Sequence, residues 1–292
     1  MTFAVHEPTT LREALGVLAT EGDSGAVLAG GTDLLLRIRR RARQYRSVIN
    51  IKFVPGLDGL IWDERTGLTM GALTTFRAVE TNAAVRAHYP ALVEAARLVA
   101  GVQLRNLATV GGNLGNASPS ADSVPPLVAL GATVEIASAG GLRTMPVELC
   151  LTGPGRTVLA PGEIFSTIRI PPPPPSSGNA FARFSPRSAM DIGIASVAAS
   201  VTLDKDGRCT ACRIALGAVS PRPLRSGMAE GALEGERFTP ALADVAGQLA
   251  SEAAQPISDI RGSADYRRAI VKVLTTRVVT IAASRAARAG AR

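Results

Sequence analysis

The chain has 292 residues, 46% of them hydrophobic and 4% aromatic, with 32 Lys and Arg against 24 Asp and Glu for a net charge of +8. That length and apolar content describe a globular protein of roughly two domains and exclude a disordered or fibrous one. No apolar run approaches the roughly 20 residues of a membrane span, and the start MTFAVHEPTT lacks the regions of a secretory signal, so a cytoplasmic protein is expected.

Residues 1–50 read as a compact α/β unit. Leu11, Ala14, Leu15 and Leu18 recur at helical spacing after Thr9-Thr10, which supplies a cap. AVLA at 26–29 is a short buried strand, Gly30-Gly31 a turn, DLLLRIRRR from Asp33 an amphipathic helix, and VINI at 48–51 a second strand. The arginines at 37, 39, 40, 41, 43 and 46 are open to two readings, an anionic partner or a solvated helix face.

GLIWDERTGLTMGALTT at 59–75 carries a hairpin signal, two strand-like runs around the polar turn DERTG. LVEAARLV at 92–99 predicts a helix. It leads into TVGGNLGNASPSAD at 109–122, read as a loop rich in glycine and short polar side chains. A helix from Pro125 to Leu130 and a strand at 132–137 follow.

The run Pro171 to Pro175, followed by Ser176-Ser177-Gly178, cannot continue a helix or a central strand and predicts a linker. Beyond it, IASVAASVTL at 194–203 and CRIALGAV at 212–219 flank the turn DKDGR as a second hairpin. Residues 240–284 carry two helical periodicities, and the tail SRAARAGAR is expected to fray.

Several chemistries fail on spacing. There is no GxxxxGK[ST] phosphate loop, and GGNLG does not match the GxGxxG dinucleotide fingerprint. The two histidines, His6 and His88, neighbour no nucleophile or metal-ligand set, so no catalytic or metal residue is assigned. Cys209 and Cys212 form a CxxC at the start of a predicted strand. There they are expected on opposite faces, about 10 Å apart and beyond disulfide reach. With Cys150 the total is three, one short of a four-cysteine iron–sulfur set.

Two glycine pairs remain, Gly30-Gly31 and Gly111-Gly112. Glycine lets consecutive backbone N–H groups approach an anion, and two such bends would grip a pyrophosphate from both sides. Valine at Gly111 or Gly112 is then expected to block that approach and leave the fold mostly intact. Thr32 and Asp33 follow the first pair; Asn113, Asn116, Ser118 and Asp122 follow the second. These are groups suited to sugar hydroxyls.

At these residues the chain resembles the FAD-binding (medium) subunits of the molybdenum hydroxylases, of the carbon monoxide and xanthine dehydrogenase type. The matching pieces are LAGGTDLL at 28–35, TVGGN at 109–113, ASPSAD at 117–122, LTGPGRTVLAPGEI at 151–164 and FSPRSAMDIGIASVA at 184–198. They stand in family order and span nearly the whole chain.

The resemblance implies an α+β, PCMH-type FAD-binding fold over 1–175, with subdomains at about 1–55 and 56–175. Residues 176–292 would form a C-terminal domain with a three-stranded antiparallel sheet and helices. It implies FAD contacts at Leu28, Ala29, Gly30, Gly31, Thr32, Asp33, Leu34 and Leu35, and at Thr109, Val110, Gly111, Gly112 and Asn113. Backbone groups of Ala29 to Asp33 and Thr109 to Asn113 would hold the diphosphate. Asp122, with Ser118 before it, would meet a cofactor sugar hydroxyl, and Phe165 would line the adenine region. Thr32 stands where the carbon monoxide enzymes have His, Val99 where xanthine dehydrogenase has an aromatic, and Ser185 where many relatives have Lys. A cysteine-bearing insertion found in one branch is missing.

The function implied is electron transfer within a complex, an oxidoreductase subunit working with a small [2Fe–2S] subunit and a large molybdopterin subunit in a dimer of heterotrimers. The clusters and the molybdopterin would belong to the partners and FAD to this chain, with no nucleic acid bound. The alternative is a self-contained flavin oxidase or reductase with its own small substrate. A basic nucleic-acid-binding protein is a third reading, disfavoured because no recognition helix or RNA motif is present.

Overall fold

The computed structural model describes residues 3–187 and 190–290. The first 50 residues build a three-stranded sheet from β1 (Ala4–His6), β2 (Gly25–Leu28) and β3 (Ser47–Asn50), in the order β1-β3-β2, all parallel. Helix α1 (Leu11–Glu21) starts where Thr10 accepts the N–H of Glu13, and it buries Ala14, Leu15 and Leu18 at the spacing of one helical face. Helix α2 (Leu34–Arg39) follows β2 through the first glycine turn and buries none of its residues.

The middle of the chain is a five-stranded antiparallel sheet carrying helices. In chain order come the hairpin β4 (Leu60–Asp63) and β5 (Gly67–Gly71), then α3 (Phe76–Thr81), α4 (Ala83–His88), α5 (Pro90–Leu98), α6 (Val102–Arg105), α7 (Val110–Asn116) and α8 (Val124–Ala129). Next are β6 (Thr133–Ser138), β7 (Gly141–Pro146), the small pair β8 (Leu151–Gly153) and β9 (Arg156–Thr157), and β10 (Ile164–Ile170). The sheet order is β4-β5-β10-β6-β7. Phe76, Leu92, Val110, Leu114, Leu127 and Ile168 meet in one buried cluster, so the helices lie on this sheet through the largest core of the molecule.

After the prolines the chain enters β11 (Ser177–Phe184), β12 (Ala195–Leu203), β13 (Cys209–Gly217) and the two-residue β14 (Leu224–Arg225), an antiparallel sheet in sequence order. The expected three strands are therefore the long ones of four. Helices α9 (Gly227–Leu233), α10 (Pro240–Ala253) and α11 (Ala264–Gly290) cover the sheet, with Val197, Ile214, Ala246, Val278 and Ala282 in a second core.

Three expectations are corrected. The segment after Thr109 is helical through Asn116: Thr109 caps it, and Val110 and Leu114, four residues apart, are fully buried. The tail does not fray, since α11 runs to Gly290 with Ala286 buried, and Arg285 donates to Asn179 O and to Glu94 at 2.6 Å each. Ala291 and Arg292 lie outside the described residues.

Cys209 and Cys212 do not face opposite ways. Cys209 pairs with Leu203 while Ala211 pairs with Thr202, so Thr210 is an extra residue in a bulge, and the added step returns both thiols to the same core. Their shared hydrogen bond and burial hold the Cys212 thiol above its ordinary range.

Candidate functional site

A cavity of about 550 Å³ opens between the N-terminal sheet and the middle unit. The turn after β2 supplies one wall. Gly31 has φ +79°, a left-handed conformation natural to glycine, and a Cβ at Gly30 would come 2.1 Å from the Leu107 carbonyl oxygen. Gly30 thus lets this turn press against the residues leading into Thr109. The two glycine bends meet, as a Cβ on Gly112 would lie 3.6 Å from that of Ala29.

The bends do different work. Among the described residues, the N–H groups of Gly31, Thr32 and Asp33 have no protein acceptor. At the second bend the four donors after Thr109 are taken. Val110 N–H goes to Thr74 O, Gly111 to Ala72 O, Gly112 to the Thr109 hydroxyl and Asn113 to Thr109 O. The first bend therefore offers the open donors, each worth about 1.5–3 kcal/mol to a charged acceptor. The second offers side chains on a capped helix.

Gly111 faces the protein. A Cβ there would lie 2.5 Å from the Ala72 Cβ, so a valine would break the packing of α7 on the strand end, contrary to the expectation of a mostly intact fold. At Gly112 a Cβ would strike the capping hydroxyl of Thr109 at 2.7 Å.

Ala29, Gly30, Gly31, Thr32, Asp33, Leu34, Thr109, Gly111, Gly112, Asn113 and Phe165 line the cavity. Leu28, Leu35, Val110, Ser118 and Asp122 do not; Val110 is buried in the core beneath. Arg37 reaches across to Asn116 Oδ1 at 2.5 Å, and both residues face the cavity. Of the arginine cluster, Arg37 and Arg43 turn inward. Arg43 lies 5.3 Å over the Tyr45 ring and donates to Asp23 O, while Arg39, Arg40, Arg41 and Arg46 do not line the cavity. No sequence signal separated these two from the rest, because Arg37 meets its partner Asn116, 79 residues away, and Arg43 lies beyond the turn that ends α2.

Asp122 stands behind the wall. Its Oδ2 takes a hydrogen bond from Arg183 at 2.5 Å, its Oδ1 is buried without a partner, and burial pushes its carboxyl up to about 6 despite the guanidinium. Glu163, which also lines the cavity, is held below the usual carboxylate range by Arg143. Both histidines are elsewhere: His6 lies 3.3 Å from the Ser47 hydroxyl and His88 stacks on Trp62. No group of three or more metal-ligating side chains occurs among the described residues.

A row of free N–H groups, an inward guanidinium, short hydroxyl and amide side chains and an apolar end at Ile164 and Phe165 suit an elongated anionic dinucleotide. A family model described as the FAD binding domain in molybdopterin dehydrogenase matches residues 1–173. The chain belongs to this family. A second model, the CO dehydrogenase flavoprotein C-terminal domain, matches residues 180–282.

Relatives of this FAD-binding family run the length of the chain. The xanthine dehydrogenase FAD-binding subunit of Escherichia coli O157:H7 is 33% identical, with 96% of each chain covered. The carbon monoxide dehydrogenase medium chain of Afipia carboxidovorans is 31% identical over 98% of each. Among solved structures, carbon monoxide dehydrogenase from Hydrogenophaga pseudoflava superposes with a TM-score of 0.93 at 31% identity, covering 98% of both chains. Quinoline 2-oxidoreductase from Pseudomonas putida 86 gives 0.91 at 31% identity, with the same coverage. The chain is thus a FAD-binding oxidoreductase subunit of the molybdenum hydroxylase type. No described helix is long and apolar enough to cross a membrane.

Proposed function

We propose that this chain binds FAD in the cavity between its glycine bends and carries electrons from a partner's [2Fe–2S] clusters to an external acceptor. The observation that carries the reading is the row of open donors at Gly31 to Asp33, set beside Arg37 at the mouth of a cavity in a family of FAD-binding subunits. The diphosphate would lie on those N–H groups and the Arg37 guanidinium. Thr109 and Asn113 would present hydroxyl and amide groups to the sugar portions, and Phe165 an apolar wall to the adenine.

When bound, FAD supplies the electron exchange, because it accepts and releases electrons singly or in pairs. The chain's own residues hold and orient it. Arg37 offsets diphosphate charge, and the packed glycines fix the distance between the two bends. Asp122 and Ser118 act from behind the lining on this reading.

The partners on this reading are a small iron–sulfur subunit and a large molybdopterin subunit, assembled as a dimer of heterotrimers in the cytoplasm; relatives named as medium chains support a complex of several subunits. Residues 1–175 would form the FAD-binding part, split near residue 55, and 176–292 the C-terminal part. Affinity purification of the tagged chain from its native host tests this. The expected result is a yellow-brown complex of three different chains containing FAD, iron and molybdenum. A homomeric yellow protein that turns over a substrate unaided would contradict it.

A further inference from the structure

Helix α5 ends at Leu98, and the segment after it, Val99 and Ala100, lines the cavity. A helix end leaves carbonyls without partners. Here four consecutive carbonyls are met by two arginines. Arg105 Nη1 donates to Arg97 O, Val99 O and Ala100 O at 3.1–3.2 Å, and Arg183 Nη1 donates to Leu98 O at 3.2 Å.

Arg105 comes from the same unit and is paired with Glu80 at 3.0 Å. Arg183 comes from β11, in the C-terminal part of the chain, and only 2% of its side chain is exposed. The same Nη1 holds Asp122, whose neighbour Ser123 donates to Asn113 Oδ1 at 2.7 Å, and Asn113 lines the cavity. Gly193 packs on the Arg183 stem so closely that a Cβ there would lie 2.7 Å from its Cδ.

One guanidinium therefore ties two wall segments of the cavity to a sheet outside it. Two polar atoms of this buried pair, Asp122 Oδ1 and Arg183 Nη2, have no partner among the described residues.

We propose that Arg183 is a positioning residue for the FAD cavity: from the C-terminal part it fixes the Val99–Ala100 wall through Leu98 O and the Asn113 wall through Asp122. The inference rests on FAD occupying this cavity. It adds that the C-terminal part shapes the cofactor site through one buried side chain, so that the two parts of the chain bind FAD together.

The test uses the full chain, titrated with FAD by flavin fluorescence, with the visible circular dichroism of the saturated protein as a second readout. Arg183→Met is expected to weaken FAD binding at least about tenfold and to alter the flavin dichroism, and Arg183→Lys to recover most of both. A Met variant with wild-type affinity and dichroism, or a Lys variant as impaired as Met, overturns the role. Should the Met variant not fold, Asp122→Asn decides: weaker binding by a variant that still melts cooperatively supports the role, and unchanged binding overturns it. Arg37→Met, which alters the cavity itself, runs alongside. Loss of binding there with none at Arg183 overturns the positioning role and leaves the cavity reading standing. Indifference of both sets of variants contradicts the cavity reading.

Discussion

Arg37 on α2 donates to Oδ1 of Asn116, 79 residues further along the chain, at 2.5 Å, and so joins the end of the first glycine motif to the end of the second. The pair is solvent-exposed, so as a surface hydrogen bond it contributes little to stability. Its consequence is positional, because it sets a guanidinium at the mouth of the cavity.

Arg37→Met is therefore expected to leave the melting temperature within about 2 °C of wild type while weakening FAD binding about tenfold, a loss of about 1.4 kcal/mol. Asn116→Ala removes the tether and keeps the charge, so its effect is expected to be smaller. Fluorescence titration of both variants beside thermal melts checks the order.

The packed glycines behave differently. A methyl group at Gly111 meets Ala72 Cβ at 2.5 Å and its carbonyl oxygen at 2.6 Å, both in the core. Gly111→Ala is expected to destabilise the chain by about 1–3 kcal/mol, read as a lower melting temperature with or without FAD. Gly56→Ala, a surface site with φ +82° and open space around it, measures the backbone cost alone and is expected to lose less.

Asp122 makes stability depend on pH in an unusual direction. Its carboxyl is raised in the folded chain, from an ordinary 3.8 to about 6, because burial disfavours the charge more than Arg183 favours it. Its contribution to stability is complete below the unfolded value and is lost as pH rises through about 6. Carboxylates such as Glu80 and Glu163 are lowered and work in the opposite sense, so the difference between wild type and Asp122→Asn isolates the group. Melts from pH 4 to 8 are expected to show wild type losing stability relative to the variant as pH rises; a constant difference contradicts the assignment.

The end of α11 is structural. Arg285 reaches Asn179 O and Glu94 of α5, and Glu94 in turn accepts the N–H of Phe181 at 2.8 Å. Truncation before Ser284 removes this contact and the buried Ala286, and is expected to cost about 2–4 kcal/mol in denaturant unfolding.

Which parts of this were legible in the sequence follows from how local their causes are. The hairpin of β4 and β5 was visible because its turn chemistry and alternation lie within a few residues, and α1 because its cap and apolar face do. Helix α7 was not. Three of its seven residues are glycines, poor helix formers, and what makes it helical is the Thr109 cap together with burial of Val110 and Leu114. Strand β11 was hidden behind the proline run, and the facing of Cys209 and Cys212 turned on a one-residue bulge that only the partner strand reveals. The glycine pairs were correctly singled out as converging. That the second has four of its donors occupied is a property of Thr74, Ala72 and Thr109, which accept them. Arg183 and Arg105 escaped notice, since their partners lie on other elements.

The most direct measurement is a crystal structure of the chain with FAD. Diphosphate oxygens are expected within hydrogen-bond distance of the N–H groups of Gly31, Thr32 and Asp33, with the Arg37 side chain alongside. A diphosphate lying elsewhere, with those three N–H groups turned to solvent, would contradict it.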